Sequence, residues 1–194
     1  MHRHVFLTGP PGIGKTTLIQ KASEVLTSKL NVDGFYTEEV KQEHRRVGFD
    51  VVTMSGNRGK LARISSGAKN ENCKYRVGQY VVDINSFERL VLPLMDHFRT
   101  TTNTLQRSVC VIDEIGKMEL FSKPFISAVD KILDNPSIVV FGTLPVSRGR
   151  PLPFVEEVRC RQDVKLFNVT RENRDEILHE IVKAVQDCCI AENH

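Results

Sequence analysis

A glycine-rich stretch near the start of the sequence has the residue types and the spacing that could bind a triphosphate. It reads Gly9-Pro10-Pro11-Gly12-Ile13-Gly14-Lys15-Thr16-Thr17, after an apolar run and before a helical pattern. This order of strand, loop and helix is the context that a P-loop requires. Backbone N–H groups of such a loop contact phosphate oxygens, Lys15 can reach the β- and γ-phosphates, and the Thr16 hydroxyl can ligate Mg²⁺. The pattern therefore predicts a phosphate site, rather than a turn beside a surface lysine.

A second stretch, far along the chain, offers the acids that such a site needs. It reads Val111-Ile112-Asp113-Glu114-Ile115-Gly116 at the end of an apolar run. An aspartate at the carboxyl end of a strand can help to hold Mg²⁺ beside a P-loop, so Asp113 joins Thr16 as a predicted metal-site residue. Glu114 is placed to accept a hydrogen bond from an attacking water and to aim it at the γ-phosphate. The alternative is that Glu114 only pairs with Lys117. Lys15, Asp113 and Glu114 are the predicted catalytic residues.

Two further kinds of residue could act on a transferred phosphate. The apolar run 138–141 ends in Gly142-Thr143. If this run is a strand between the P-loop strand and the Asp113 strand, Thr143 can touch the γ-phosphate or the water, and it can equally cap a turn. An arginine often adds positive charge near a transferred phosphate. The sequence does not choose among the candidates, which are Arg148, Arg150, Arg159, Arg161, Arg171 and Arg174.

The elements that must position these residues alternate between strands and helices. Besides the P-loop strand, period-two and apolar runs predict strands over 34–40, 47–54, 61–64, 75–82, 109–112, 138–141 and 164–169. Apolar spacings of three and four predict helices over 18–26, 86–98, 122–133 and 171–188, with Pro93 a complication in the second. The alternation predicts one α/β domain over residues 1–194. Its sheet is mostly parallel and flanked by helices, with an antiparallel hairpin insertion after the first helix.

Composition narrows the class of protein. The 194 residues are 40% hydrophobic and 26% charged, as in soluble globular domains, and no run approaches the ~20 apolar residues of a membrane span. The first strand begins too early for a signal or transit peptide, so we expect a cytoplasmic protein, with a nuclear pool left open. The five cysteines are odd in number and lack zinc spacing, which favours reduced thiols. The stretch 58–76 has six basic residues against one acid, typical of a solvated face and less often of a surface for an anionic partner.

With both motifs in place, the chain resembles the family of small P-loop nucleoside-triphosphatases. The resemblance lies in residues 9–17, 34–40, 112–120 and 169–174, and it extends over most of the chain. It implies a fold of the RecA/AAA-related kind and slow, Mg²⁺-dependent hydrolysis of several nucleoside triphosphates with little base discrimination. The roles that it implies for Lys15, Thr16, Asp113 and Glu114 are the ones inferred above from the residue types and their spacing. The loops 65–74 and 99–107 match nothing in the family pattern.

Three functions fit these residues to different degrees. The leading hypothesis is a hydrolase that cleaves the β–γ bond of ATP, GTP and other nucleoside triphosphates. The second is a P-loop kinase acting on a small molecule or a nucleoside phosphate, with 75–98 or 145–161 supplying an acceptor pocket. The third is a nucleotide-dependent switch associated with nucleic acid, which no nucleic-acid-binding motif supports. We expect a monomer rather than a stable homo-oligomer. The physiological substrate, the protein partners and the base preference are not determined by the sequence.

Overall fold

Nine strands form one continuous mixed sheet in the computed structural model, which describes residues 2–65, 74–102, 107–147 and 149–190. Arg148, Cys73, most of the loop 65–74 and residues 103–106 of the loop 99–107 lie outside the described residues. The strands are β1 (His4–Thr8), β2 (Val32–Gln42), β3 (Arg45–Thr53), β4 (Arg58–Ile64), β5 (Arg76–Val77), β6 (Tyr80–Val82), β7 (Ser108–Ile112), β8 (Ile138–Leu144) and β9 (Val164–Asn168). The α-helices are α1 (Lys15–Thr27), α2 (Ile84–Thr100), α3 (Lys123–Asp134), α4 (Pro153–Cys160) and α5 (Leu178–Cys189), and a 3₁₀ turn covers Glu119–Phe121.

The sheet has a parallel half and an antiparallel half that share one strand. Its order is β5-β6-β4-β3-β2-β7-β8-β1-β9. The pairs from β2 through β7, β8 and β1 to β9 are parallel, and the pairs on the other side of β2 are antiparallel. The predicted hairpin is therefore an extension of the main sheet, because β2 pairs with β7 as well as with β3. The predicted α/β fold is confirmed.

Alternation along the buried strands sends side chains to two separate cores. Val5 and Leu7 of β1 pack with α1 and α5 on one face, while Phe6 packs with α2, α3 and α4 on the other. All three side chains are fully buried, as expected for a parallel strand covered on both faces. Among the described residues, no helix combines the length and the apolar composition that would cross a membrane. The resulting three layers hold the carboxyl ends of the parallel strands at one edge.

Two local predictions were wrong, and one helix was missed. The single strand predicted over 75–82 is two short strands, because Gly78 adopts a positive φ of 57° and turns the chain between β5 and β6. The helix predicted from residue 171 begins only at Leu178, after a series of turns. The side chain of Asn173 accepts from the Thr170 N–H and donates to the Asn168 carbonyl, and only isolated i to i−4 backbone bonds, such as that from the Arg174 N–H to the Thr170 carbonyl, form before Leu178. Helix α4 was not predicted at all.

Candidate active site

The P-loop lies between the end of β1 and the start of α1, with its backbone donors unclaimed by side chains. Gly12 and Gly14 have φ values of 74° and 110°, in the left-handed region that favours glycine. Gly14 is the N-cap of α1 and makes no side-chain capping bond, so the first N–H groups of the helix are left for an anion. The Lys15 ammonium donates to the Gly9 carbonyl at 3.0 Å, which holds the lysine over the loop.

Asp113 lies at the end of β7 and connects the two sequence motifs. The Thr16 hydroxyl donates to its Oδ2 at 2.6 Å, and the Thr143 hydroxyl donates to its Oδ1 at 2.5 Å. Burial raises the pKa of Asp113, while these two hydroxyls, Lys15 and the Thr37 N–H counteract that rise. The Thr16 hydroxyl and the Asp113 carboxylate, both beside the phosphate loop, offer oxygen ligands, which Mg²⁺ prefers. These residues therefore fit the magnesium site that the sequence predicts.

Glu114 and a second glutamate, Glu119, lie close together beside Gly116. A Cβ atom on Gly116 would lie 2.6 Å from Oε1 of Glu114 and 3.1 Å from Oε2 of Glu119, so the missing side chain makes room for both carboxyl groups. The Gly116 N–H donates to Oε2 of Glu119 at 3.2 Å. Removal from water raises the pKa of Glu114 to about 7, with Lys15 opposing the shift and Asp113 adding to it. Removal from water likewise raises the pKa of Glu119 to about 8, and the charges of Glu114 and Asp113 add to that shift. The pair therefore carries less than two negative charges near neutral pH.

A cavity of about 730 Å³ opens along this edge of the sheet, and the two motifs line one part of it. The predicted nucleotide-binding residues on its wall are Gly9, Pro11, Gly12, Gly14, Lys15, Thr16, Thr17, Asp113 and Glu114. The other predicted residues do not line the cavity; they are Pro10, Ile13, Val111, Ile112, Ile115, Gly116 and Thr143. Several of these are core residues: the side chains of Ile13, Val111, Ile112 and Ile115 are buried among apolar neighbours. Nine of the sixteen predicted nucleotide-binding residues thus line the cavity, and seven do not.

The Thr143 hydroxyl donates to Asp113 in the structure, rather than capping a turn. It is fully buried near the end of β8, one residue before the strand ends, and its hydroxyl is used by Asp113. The predicted position of this strand between the P-loop strand and the Asp113 strand is confirmed by the order β7-β8-β1. Glu119 and Thr37 were missed from the sequence. Both fall within the stretches that carry the family resemblance, but a buried acid after a glycine has no signal in hydrophobic periodicity.

Hydrogen bonds and ion pairs in the structure distinguish between the interpretations of Lys117 and of the candidate arginines. Lys117 forms no ion pair with Glu114 among the described residues, so the structure does not support the surface-pair alternative for that glutamate. Of the predicted arginines that the structure describes, Arg150 lines the cavity. Arg159 donates to the Pro145 carbonyl, and Arg161 is held by Asp134 and Asp163.

The basic stretch 58–76 is largely neutralised where the structure describes it. Arg58 pairs with Glu38 and Asp50, Arg63 pairs with Asp50, and Lys60 pairs with Asp83. Acids from neighbouring elements thus balance three of these basic residues, while Lys74 and Arg76 form no ion pair among the described residues. These contacts favour the solvated-face interpretation over a surface for an anionic partner.

Comparisons with known proteins give a consistent picture. A family model described as NTPase matches residues 4–182. The cancer-related nucleoside-triphosphatase of Homo sapiens is 59% identical over 187 residues, which cover 96% of this chain and 98% of that protein. The nucleoside-triphosphatase THEP1 of Aquifex aeolicus is 38% identical over 184 residues, covering 94% and 98% of the two chains.

Solved structures agree with this assignment. A solution structure of the human cancer-related nucleoside triphosphatase superimposes with a TM-score of 0.83 at 58% identity, over 95% of this chain and 98% of that one. The crystal structure of THEP1 from Aquifex aeolicus gives a TM-score of 0.78 at 36% identity, over 94% and 99% of the two chains. The family predicted from residues 9–17 and 112–120 is confirmed, and the chain belongs to the NTPase family, whose named relatives are nucleoside-triphosphatases.

Proposed function

We propose that this protein hydrolyses nucleoside 5′-triphosphates to the diphosphate and phosphate, with Mg²⁺ as cofactor and little selectivity for the base. The observation that carries the proposal is the 2.6 Å hydrogen bond between Thr16 and Asp113, because it brings the P-loop and the acidic motif to one point. Membership of the NTPase family supports the reaction class. Low base selectivity follows if binding energy comes mainly from the triphosphate, which is the same in every substrate.

Some residues where the two motifs meet bind the phosphates and the metal, and Glu114 accepts the proton of the attacking water. The α1 N–H groups and Lys15 bind the phosphate oxygens and balance the charge that develops on them. Thr16 and Asp113 would hold Mg²⁺, which when bound neutralises phosphate charge. Glu114 accepts a hydrogen bond from the attacking water, orients it towards the γ-phosphorus and takes its proton as the new bond forms. The β–γ bridging oxygen leaves with the nucleoside diphosphate.

Phosphate release from ATP, GTP, CTP and UTP tests the proposal, with and without Mg²⁺. We expect similar turnover for the four substrates, with no turnover when the metal is chelated. Glu114→Gln should reduce turnover by roughly 10²-fold or more, the range of general-base catalysis, while a fluorescent nucleotide still binds. Lys15→Ala should weaken nucleotide binding itself. Unchanged turnover in Glu114→Gln would exclude the role of that residue, and strong preference for one base would contradict the selectivity.

We further propose that the protein works as a monomer in the cytoplasm, with a nuclear pool left open. Sedimentation of the purified protein measures its mass and tests the first part. An activity assay at several protein concentrations tests it again, because a monomer keeps the same specific activity when the protein is diluted. Activity that rises with protein concentration would contradict it and would point to a residue supplied by a second subunit.

A further inference from the structure

The cavity continues well beyond the residues that a triphosphate tail requires. Its wall runs from the P-loop after β1 to Phe49 on β3 and Leu61 on β4. Five strand spacings separate β1 from β4 in the sheet order, or roughly 24 Å. Asp113 follows β7, which lies between these limits. The part of the cavity above β2, β3 and β4 is therefore on the far side of Asp113 from the P-loop, where a group attacking the γ-phosphate would approach.

Apolar side chains enclose this far part, which we call the acceptor chamber. They come from the antiparallel half of the sheet, from the segment after Glu114 and from the start of α4. They are Phe49, Leu61, Val77, Met118, Leu152 and Val155. Leu61 and Val155 are buried, and the other four are half-buried. Water alone needs no apolar enclosure of this kind, whereas a planar organic ring gains free energy from it.

The charges around the chamber favour an anionic occupant. Most charged residues on its wall already have partners: Arg46 donates to Glu39 and to the Tyr80 hydroxyl, and Glu38 pairs with Arg58. Lys117 and Arg150 are exposed on the wall, and neither has a hydrogen bond or an ion pair among the described residues. Two uncompensated cations beside an apolar enclosure match a ring compound that carries a phosphate group.

We propose that the acceptor chamber binds a nucleoside 5′-monophosphate and that the protein transfers the γ-phosphate of a triphosphate to it, besides hydrolysis. The proposal rests on the proposed function for the binding of the triphosphate. An oxygen of the acceptor phosphate forms the new bond to the γ-phosphorus, and the bond from that phosphorus to the β–γ bridging oxygen breaks. The electron pair leaves on the nucleoside diphosphate, and the acceptor becomes a second diphosphate. A dianionic acceptor needs no proton removed.

The test mixes the wild-type protein and Mg-ATP with radiolabelled AMP, CMP, GMP, UMP or dTMP in turn, and separates the products by anion exchange. We expect at least one acceptor to be converted to its diphosphate with saturation, and free phosphate to fall below one per ATP consumed. Lys15→Ala, purified in the same way, controls for a contaminating kinase. Phosphate release with no labelled diphosphate from any of the five acceptors would overturn the inference alone. Absence of both products would overturn the proposed function as well.

Variants of the chamber locate the acceptor. Leu152→Trp fills the chamber and should reduce transfer at least tenfold, with hydrolysis within twofold of the wild type. Leu166→Trp changes a half-buried leucine of β9 outside the cavity and is the matched control for folding. Lys117→Ala should raise the acceptor KM roughly tenfold, the loss of about one charge-assisted hydrogen bond, with hydrolysis unchanged. Transfer that survives Leu152→Trp, or equal loss of hydrolysis and transfer in Lys117→Ala, would overturn the placement.

Discussion

The Thr143 hydroxyl donates a 2.5 Å hydrogen bond to Oδ1 of Asp113, and this contact joins the ends of β8 and β7. With Thr16 on the other oxygen, both carboxylate oxygens of Asp113 are occupied and the group has one orientation. The two donors also offset the cost of burying the carboxylate, which by itself raises its pKa. Thr143 is therefore a positioning residue that acts through Asp113.

Replacing Thr143 by valine tests this relationship. The side chain is fully buried and valine has nearly the same shape, so the change removes the hydroxyl and little else. A hydrogen bond to a charged group contributes about 1.5–3 kcal/mol, so we expect turnover to fall by roughly 10- to 100-fold. The Mg²⁺ concentration for half-maximal activity should rise, measured by titrating the metal against phosphate release. Thr143→Ser keeps the hydroxyl and should retain most of the activity; a normal metal titration in the valine variant would contradict the role.

Gly116→Ala should slow hydrolysis while leaving nucleotide binding intact. The new Cβ atom would lie 2.6 Å from Oε1 of Glu114, too close for any real contact, so the carboxylate must move. Because that carboxylate is the end of a flexible side chain, the fold can accommodate the change. We expect turnover to fall at least about tenfold, since general-base geometry must hold to within hydrogen-bond reach. Phosphate release and binding of a fluorescent nucleotide, measured together, check it; a normal rate would show that Glu114 does not need its observed position.

Glu119→Gln should stabilise the protein at alkaline pH. The folded-state pKa of Glu119 is raised from 4.5 to about 8, so its contribution to stability is fully present below pH 4.5 and is lost as pH rises to about 8. Glutamine stays neutral and its oxygen can still accept from the Gly116 N–H. We expect the variant to have a higher Tm than the wild type at pH 8.5 and a similar Tm at pH 5. Roughly 2–4 °C corresponds to each kcal/mol in a domain of this size.

Calorimetry across pH 5–9 would measure this difference. Glu157→Gln on α4 is a matched control, because its side chain is exposed and outside the cavity. A Tm difference between Glu119→Gln and the wild type that does not change with pH would contradict the raised pKa.

The burial of His4 predicts that the stability of the protein also depends on pH in the acid range. The side chain is fully buried in β1; its Nδ1 accepts from the Val140 N–H, and its Nε2 lies 3.0 Å from the Leu133 carbonyl. Burial lowers its pKa from 6.5 to about 4, although Asp163 opposes that shift. A histidine held neutral contributes stability above pH 6.5, and this contribution is lost as pH falls to about 4. The full effect is about 3 kcal/mol.

Thermal unfolding of the wild type between pH 7 and pH 4 would show this loss. His4→Gln should have a lower Tm at pH 7 and a flatter dependence on pH. His179→Gln, at an exposed position on α5, is the control and should follow the wild type. Equal slopes for His4→Gln and the wild type would contradict the assignment.

The sequence predicted the segments of the site better than the contacts between them. A P-loop and an acid after an apolar strand are local signals, because their backbone geometry depends on residues close in the chain. The contact of Thr143 with Asp113 depends on the strand order and on the register of β8, neither of which periodicity specifies. The burial of Glu119 likewise depends on the turn after Gly116, which places an acid where an apolar residue is normally found.

Local turn chemistry explains the errors in the fold. Helix α4 is eight residues long and begins at Pro153, after a segment rich in proline, glycine and arginine that is typical of a loop. Proline is nevertheless favoured at the first helical position, where its missing N–H has no partner to lose. The helix predicted from residue 171 begins only at Leu178. The Asn173 side chain hydrogen-bonds to the backbone of Thr170 and Asn168, and the chain forms turns in this segment.

The strand order has a consequence for biosynthesis. Both neighbours of β1 in the sheet, β8 and β9, come from the last third of the chain. As the polypeptide leaves the ribosome, β1 has no neighbouring strand to pair with until residues 138–168 have emerged. Contacts so distant in sequence slow folding and leave an apolar strand edge open to aggregation. Strand β1 is thus an apolar segment of the nascent protein that stays without a strand partner until late in synthesis.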